Sequence, residues 1–293
     1  MKLGVIGGSG LYKIDGMEDI REESVVTPFG DPSDSFICGK LNGQEIIFLA
    51  RHGRGHVLAP MEINHRANIF AMKKLGVTHI ISISAVGSLR ERIRPRDVVL
   101  VDQYYDRRRT AGNDTFFGNG IVAHIAFGTP TCTELATLAA EAARDAIKIS
   151  DEPDRRVHFT GTYVNMEGPA FSTKAESKTH RDSGFHVIGM TNLPEAKLAR
   201  EAEIAYATVA MVTDYDCWHP DHDHVTVDMV IGHLMANAKL GEEIIKRVAA
   251  SVHSLSEDNP CFRALENAII SSPEYITPEV RARLAPIIGK YLK

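Results

Sequence analysis

The chain has 293 residues, of which 44% are hydrophobic, and a formal net charge of −5 at neutral pH. This length and hydrophobic content predict a single domain over residues 1–293, because no linker or internal repeat divides the sequence. The negative charge argues against a nucleic-acid partner, and no apolar run is long enough to predict a membrane span.

The chain opens with a short apolar strand, predicted over residues 1–6, that leads into a glycine-rich loop at residues 7–10. The backbone of such a loop can approach an anion closely, which suggests a phosphate loop containing Ser9. It is not a dinucleotide fingerprint, because Lys13 stands where the third glycine of that pattern is required. A tight turn after a strand is the alternative interpretation.

A second predicted strand, residues 46–50, delivers Arg51, His52 and, slightly later, His56. An arginine offers a planar fork of donors matched to phosphate oxygens, and His52 can add another donor. The same strand-Arg-His-Gly order occurs in histidine phosphatases, where the histidine is the nucleophile. A basic loop facing water is the default interpretation of such a charge cluster.

A third strand is predicted over residues 79–84, and it ends in small residues. Ser84 offers a hydroxyl to an anion, and Ala85 and Gly87 would let a flat ligand lie close to the backbone. The next strand is predicted over residues 97–101. A glycine turn between two strands would explain the same residues without a ligand.

Two later strand-like runs, residues 157–166 and 187–190, are each followed by polar or aromatic residues. Phe171 and Ser172 lie on the loop after the first run. Thr191 or Asn192 is placed to cap a helix over residues 193–202, and the N-terminus of that helix would also favour an anion.

The most informative segment is the apolar run 204–212, which reads as a buried strand ending at Thr213. Asp214 and Asp216 therefore emerge beyond the carboxyl end of a strand, where ligands bind in open α/β sheets. If the extended geometry continues, both carboxyl groups point to the same side. Two carboxyl groups in a poorly solvated crevice resist double ionisation, so one of them is expected to hold a proton near neutral pH.

A long helix is predicted over residues 225–253, with an apolar stripe at helical spacing that contains Val227, Val230, Ile231 and Leu234. The preceding His219, Asp221, His222, Asp223 and His224 are interpreted as a solvated loop, since their spacing fits no defined metal site. We therefore predict no metal.

Further helices are predicted over residues 63–75, 133–149 and 175–181, so that helices alternate with the strands. This order predicts an α/β fold with a mixed central β-sheet flanked by helices. The scattered cysteines, Cys38, Cys132, Cys217 and Cys261, fit reduced thiols in a cytoplasmic protein, although a bridge involving Cys132 or Cys261 stays open.

Taken together, these segments resemble the trimeric branch of the purine nucleoside phosphorylases, and within it the 5'-methylthioadenosine phosphorylases. The resemblance runs in order from Gly4 to about Leu234. Its most specific part is the run of residues 213–218, supported by residues 51–54, 167–172 and 189–195.

The resemblance implies a role for particular residues of this chain. Phosphate would be held by Ser9, Arg51, His52, Ser84 and Thr191. The base would lie beside Ala85, Gly87, Phe171, Ser172, Asp214 and Asp216, and the ribose hydroxyls would meet Met190. The 5' substituent would face His56, Val227, Val230 and Ile231, with His124 reaching in from a neighbouring subunit.

The implied function is phosphorolysis of 5'-methylthioadenosine to adenine and 5-methylthioribose 1-phosphate, with Asp214 as the catalytic residue. Inorganic phosphate is then a co-substrate and no cofactor is expected. The expected assembly is a cytoplasmic homo-oligomer, a trimer or a dimer of trimers. A broader purine nucleoside phosphorylase, a non-catalytic nucleoside-binding protein and a histidine phosphatase are the alternatives.

Overall fold

The computed structural model describes residues 1–8, 11, 14–109, 112, 114–220 and 227–292, and of residues 227–231 the backbone alone. The described strands form one 11-stranded sheet with both parallel and antiparallel pairs. The strands are β1 Leu3–Gly7, β2 Glu18–Glu23, β3 Phe36–Leu41, β4 Gln44–Ala50, β5 His79–Ser88, β6 Val98–Val101, β7 Gln103–Asp106, β8 Val157–His158, β9 Thr162–Asn165, β10 Val187–Gly189 and β11 Ala205–Asp214. The α-helices are α1 His65–Lys74, α2 Thr133–Lys148, α3 Lys174–Asp182, α4 Asn192–Glu201, α5 Val227–Ser251 and α6 Pro278–Ile288.

The predicted fold class is confirmed, because helices cover both faces of the mixed sheet. One apolar cluster joins α2 and α5 to residues such as Leu3 and Val5 of β1. A second cluster joins α1, α4 and α6 to the opposite face, including Ile6 of the same strand. Alternate residues of β1 thus enter opposite cores, as the pleat of a strand requires.

Strand β5 organises the centre of the sheet because it is longer than its neighbour β1. Its first residues pair in parallel with β1, from Leu3 opposite His79 to Ile6 opposite Ser82. On its other side, β11 pairs with it in parallel as far as Gly87. Beyond the end of β1, β10 pairs in antiparallel with Gly87 and Ser88. The ends of several strands therefore meet around the second half of β5, which is where ligands bind in such sheets.

Several strands differ from the predictions made from sequence. The predicted run 157–166 is two strands, since β8 pairs with β6 whereas β9 pairs with β7 and β10. The two strands are joined through Gly161, where a Cβ atom would lie 2.6 Å from Val99 Cγ1. Strand β2 carries no apolar signal, because it is an edge strand whose side chains are almost all exposed. No described helix has the length and apolar character of a membrane span.

Candidate active site

A cavity of about 790 Å³ opens where these strands end, a size typical of small-molecule sites. It brings together most of the residues that the sequence singled out, although they come from distant segments. The predicted residues that line it are Arg51, His52, His56, Ser84, Ala85, Gly87, Phe171, Met190, Thr191, Asp214 and Asp216. These side chains therefore line one continuous cavity into which phosphate and a nucleoside can fit.

The remaining predicted residues either do not line this cavity or lie outside the described part of the chain. Ser172 does not line the cavity, but its hydroxyl donates to the lining residue Met166 at Sδ, 3.8 Å away, and its carbonyl accepts from the Cys217 thiol at 3.2 Å. His124 is exposed and does not line this cavity. Ser9 lies outside the described residues, as do the side chains of Val227, Val230 and Ile231 and the run 221–224.

Other lining residues were not predicted as site residues, and most of them are one or two positions from a predicted motif. Gly8 precedes Ser9, Val86 stands between Ala85 and Gly87, and Gly189 precedes Met190. Leu234 and Met235, one turn further along α5 than Ile231, also line the cavity. This placement puts the N-terminal half of α5 beside the cavity. The other unpredicted lining residues are Leu58, Ala59, Pro60, Met166, Pro169, Ile188 and Thr213.

Arg51 is buried at the end of β4 and forms an ion pair with Glu195 of α4. Its Nε donates to Glu195 Oε2 at 2.8 Å, and its Nη2 donates to Glu195 Oε1 at 3.1 Å. Both side chains are 1% exposed. Bidentate arginine–carboxylate pairs of this kind fix the guanidinium plane. Sequence reasoning placed Glu195 in a motif but gave it no role, since nothing in the sequence shows that it faces Arg51.

His52 lies beside Arg51, and one of its ring nitrogens is already bonded within the protein. Its Nδ1 lies 2.8 Å from the Leu58 carbonyl oxygen, and a carbonyl can only accept, so Nδ1 carries the proton. Burial lowers the pKa of His52 to about 4, and the nearby Arg51 charge acts in the same direction. The ring is therefore neutral at pH 7, and its Nε2 is an acceptor.

The prediction that Thr191 or Asn192 caps α4 is wrong. Thr191 is at the N-cap position but makes no side-chain capping bond, and Asn192 donates to Ser82 Oγ and Tyr206 Oη at 3.2 and 3.0 Å. Asn165 instead accepts from the Leu193 backbone N–H at 2.9 Å. Thr191 thus lines the cavity, and its side chain is not used for capping.

Asp214 and Asp216 both line the cavity, but the strand geometry does not continue between them. Asp216 has a φ of 53°, and its backbone N–H donates to Asp214 Oδ1 at 2.7 Å. The Thr213 hydroxyl donates to Asp214 Oδ2 at 2.6 Å. The two carboxyl groups therefore reach one cavity through a turn, in which Asp216 adopts a left-handed conformation that is uncommon for residues other than glycine.

The pKa values of both aspartates are raised, in partial agreement with the predicted cause. Burial raises the pKa of Asp214, against the opposing effect of the Thr213 and Asp216 hydrogen bonds. Burial also raises the pKa of Asp216, and there the charge of Asp214 adds to the effect. The mutual repulsion predicted from sequence thus acts on Asp216, whereas desolvation alone raises the pKa of Asp214.

Gly87 allows the Asp214 carboxyl group to approach β5. A Cβ atom at this position would lie 2.9 Å from Asp214 Oδ1 and 3.4 Å from Asp216 Cβ. A side chain at this position would therefore displace the Asp214 carboxyl group, whereas its distance to Asp216 would be an ordinary van der Waals contact. The glycine predicted from sequence as a base contact thus also leaves room for the Asp214 carboxyl group.

Comparison with known proteins agrees with this arrangement. The profile of the Phosphorylase superfamily matches residues 2–250. The chain is 54% identical to the S-methyl-5'-thioadenosine phosphorylase of Thermosynechococcus vestitus, with 99% of each chain covered. It is 51% identical to the enzyme of the same name from Geobacter sulfurreducens, also with 99% of each chain covered.

The chain belongs to the S-methyl-5'-thioadenosine phosphorylase family.

Solved structures of this family share the fold over nearly the whole chain. A methylthioadenosine phosphorylase from an antarctic soil metagenomic library has a TM-score of 0.91 at 45% identity, with 98% of each chain covered. The methylthioadenosine phosphorylase of Schistosoma mansoni, solved in complex with adenine, has a TM-score of 0.82 at 33% identity, covering 99% of this chain and 98% of that one. Family membership thus rests on both sequence and three-dimensional similarity.

Proposed function

We propose that the protein catalyses phosphorolysis of 5'-methylthioadenosine to adenine and 5-methylthioribose 1-phosphate. The observation that carries this proposal is that one cavity is lined both by two aspartates with raised pKa values and by Arg51, whose guanidinium can bind an anion. The names of its family members point to the same nucleoside. Phosphate is a co-substrate in this reaction, and the chemistry requires no further cofactor.

The phosphate end of the cavity is formed by Arg51, His52, Ser84 and Thr191. Breaking the bond between sugar and purine puts positive charge on the sugar, and an anion held below the ring stabilises that charge. Holding the anion next to the anomeric carbon also replaces a bimolecular collision by a positioned attack. Ser9 belongs to this group by its place in the motif, although it lies outside the described residues.

The purine end is formed by Asp214 and Asp216. The departing purine gains negative charge, and a protonated Asp214 can donate to its N7. Because burial raises the pKa of Asp214, a larger fraction of this side chain is protonated near neutral pH than in water. An aspartate oxygen also accepts from the 6-amino group of adenine, whereas a 6-oxo group would face it acceptor to acceptor. That mismatch costs about 1–3 kcal/mol when it is buried, so 6-aminopurines are preferred.

The 5' end of the nucleoside is assigned to the part of the cavity beside α5. Leu234 and Met235 line this part from the helix. His56 also lines the cavity, and its ring stacks on that of His52 with the centroids 4.2 Å apart. An apolar wall favours a methylthio group over a hydroxyl, by about 10- to 200-fold per group. Adenosine is therefore expected to be the poorer substrate.

The first prediction concerns the second substrate. We expect adenine to be released from 5'-methylthioadenosine only when phosphate or arsenate is present, because the attacking group is the bound anion. Chromatographic measurement of adenine over time, in buffers with and without phosphate, checks this. Equal rates in both buffers would identify a hydrolase and contradict the proposal. Parallel assays with adenosine, 5'-methylthioinosine and inosine distinguish it from a broader purine nucleoside phosphorylase.

The second prediction concerns assembly. We propose that the protein is a homo-oligomer built on a three-fold axis, in which the exposed His124 enters the cavity of a neighbouring subunit. His124→Ala should then raise the KM for 5'-methylthioadenosine several-fold, about the weight of one hydrogen bond, without changing the melting temperature of the subunit. Sedimentation analysis gives the assembly, and steady-state kinetics gives the KM. A fully active monomer would be incompatible with this role of His124.

A further inference from the structure

Glu195 is buried beneath the cavity, yet the proposed reaction uses no acid at this place. Its side chain is 1% exposed and does not line the cavity. Besides the two donors of Arg51, it accepts hydrogen bonds at Oε1 from the Ser82 hydroxyl at 2.7 Å and from the Tyr206 hydroxyl at 2.8 Å. A buried carboxylate that accepts hydrogen bonds from Arg51, Ser82 and Tyr206 stays ionised and is fixed in place.

Arg51 in turn uses most of its donors on the protein. Its Nη2 donates to Ser82 Oγ at 2.6 Å as well as to Glu195, and its Nη1 donates to the Ile83 carbonyl at 3.0 Å. Among the described residues, four of the five guanidinium N–H groups thus have protein acceptors. The fifth is on Nη1, which lies 3.4 Å from the Cβ position of Gly8, a lining residue. The ion pair therefore presents a single directed N–H to the cavity.

A second layer of side chains holds Glu195 and connects it to another part of the site. Asn192 donates to both Ser82 Oγ and Tyr206 Oη, the two hydroxyls that donate to Glu195. Asn192 follows Thr191 directly, and Ser82 is two residues before Ser84 on β5. Of the candidate phosphate contacts, Arg51 is therefore part of this buried hydrogen-bond network, and Thr191 and Ser84 are one and two residues away from members of it.

We propose that Glu195 is a positioning residue of the phosphate site, which directs the Arg51 guanidinium and balances its charge. This inference rests on the proposed phosphorolysis. Phosphate then meets one oriented charged donor and several neutral ones, in place of an unbalanced cation. The site would then select phosphate by the direction of its hydrogen-bond donors and not by an excess of positive charge, because Arg51 is already paired with Glu195.

Glu195→Gln tests this role, since it keeps the shape of the side chain but replaces one acceptor oxygen by an amide NH2 group, which can only donate, and removes the charge. Without the bidentate partner, the guanidinium loses its fixed direction. We expect the KM for phosphate to rise by roughly 10- to 100-fold, the weight of a hydrogen bond to a charged group, with the KM for 5'-methylthioadenosine unchanged. A lower fraction of folded enzyme would reduce kcat but would not separate the two KM values. An unchanged or lower KM for phosphate would overturn the proposal.

Glu203→Gln is the matched control. Glu203 is also buried, and it accepts from the Leu265 backbone N–H at 3.0 Å and from the Tyr291 hydroxyl at 2.5 Å, away from the cavity. Both KM values should stay unchanged in this variant. If Glu195→Gln does not fold, Ser82→Ala removes the hydroxyl between Arg51 and Glu195 and should raise the KM for phosphate at least about 3-fold. No rise in that variant would equally overturn the role of Glu195.

The failure of the proposed reaction can be told apart from the failure of this inference. Wild-type turnover that ignores phosphate would overturn the reaction. Calorimetric binding of inorganic phosphate to wild type and to Glu195→Gln, without nucleoside, would still measure the contribution of Glu195. Weaker phosphate binding by the variant is the expected result, and equal binding would contradict it.

Discussion

Replacing Asp214 with asparagine is expected to slow adenine release from 5'-methylthioadenosine by about 100-fold or more, the usual weight of a general acid. The amide keeps the size of the side chain, but its single oxygen can accept only one of the Thr213 and Asp216 hydrogen bonds, which the carboxyl group accepts on two different oxygens. It cannot supply an acid proton to N7. Its nitrogen can donate to a 6-oxo group, so the ratio of activity on 5'-methylthioinosine to activity on 5'-methylthioadenosine should rise. Initial rates on both nucleosides measure the two effects.

The pH dependence separates acid catalysis from simple binding. Burial raises the pKa of Asp214, and the acid form is the one that donates, so wild-type activity should fall as the pH rises through that pKa. This limb of the profile should be missing in Asp214→Asn. Asp102→Asn is the control, because Asp102 lies outside the cavity and accepts from the Gly161 backbone at 2.9 Å. If Asp214→Asn kept the wild-type rate and the wild-type base preference, Asp214 would have only a structural role in the turn.

Replacing Arg51 with alanine is expected to cost about 3–5 kcal/mol of stability, because it leaves the Glu195 carboxylate buried without a counter-charge. This is a large fraction of the 5–15 kcal/mol that typically separates folded from unfolded protein. The loss of phosphate-dependent activity in Arg51→Ala would therefore combine two causes. Calorimetric measurement of the thermal unfolding of Arg51→Ala gives the loss of stability by itself.

A double replacement distinguishes these causes. Arg51→Leu combined with Glu195→Leu removes both charges and should regain part of the lost stability, since apolar residues often replace buried ion pairs without loss. It should remain inactive, because no charged donor faces phosphate. Arg54→Ala is the control, since Arg54 is 57% exposed although it also pairs with carboxylates, and its melting temperature should match wild type. A melting temperature for Arg51→Ala equal to that of wild type would contradict the expected role of the ion pair.

The segments that form the cavity are predictable from sequence because each lies just after an apolar run. Buried strands such as β5 and β11 carry strong apolar signals, and ligands collect at their carboxyl ends. Arg51, Ser84 and Asp214 follow from that rule. The edge strand β2 does not, because its exposed side chains carry no periodic signal.

What sequence could not supply is the pairing of side chains across the sheet. Glu195 and Arg51 are 144 positions apart, and only the fold shows that they form an ion pair. The same limit applies to His52, since only the fold shows that its Nδ1 proton is directed to the Leu58 carbonyl. Local propensity also failed at Asn192, where tertiary hydrogen bonds to Ser82 and Tyr206 outcompeted helix capping.

Strand β5 also constrains how enzymes of this kind can diverge. Ser82 and Ser84 occupy one set of alternating positions and serve the ion pair and the cavity, whereas Ile81 and Ile83 occupy the other set and pack in the core. Inserting or deleting one residue here would turn the serines toward the apolar core and the isoleucines toward the ion pair and the cavity. Changes in substrate range should therefore accumulate at the mouth of the cavity. Phe171 and Met235 lie there, are 57% and 71% exposed, and do not belong to any strand of the sheet.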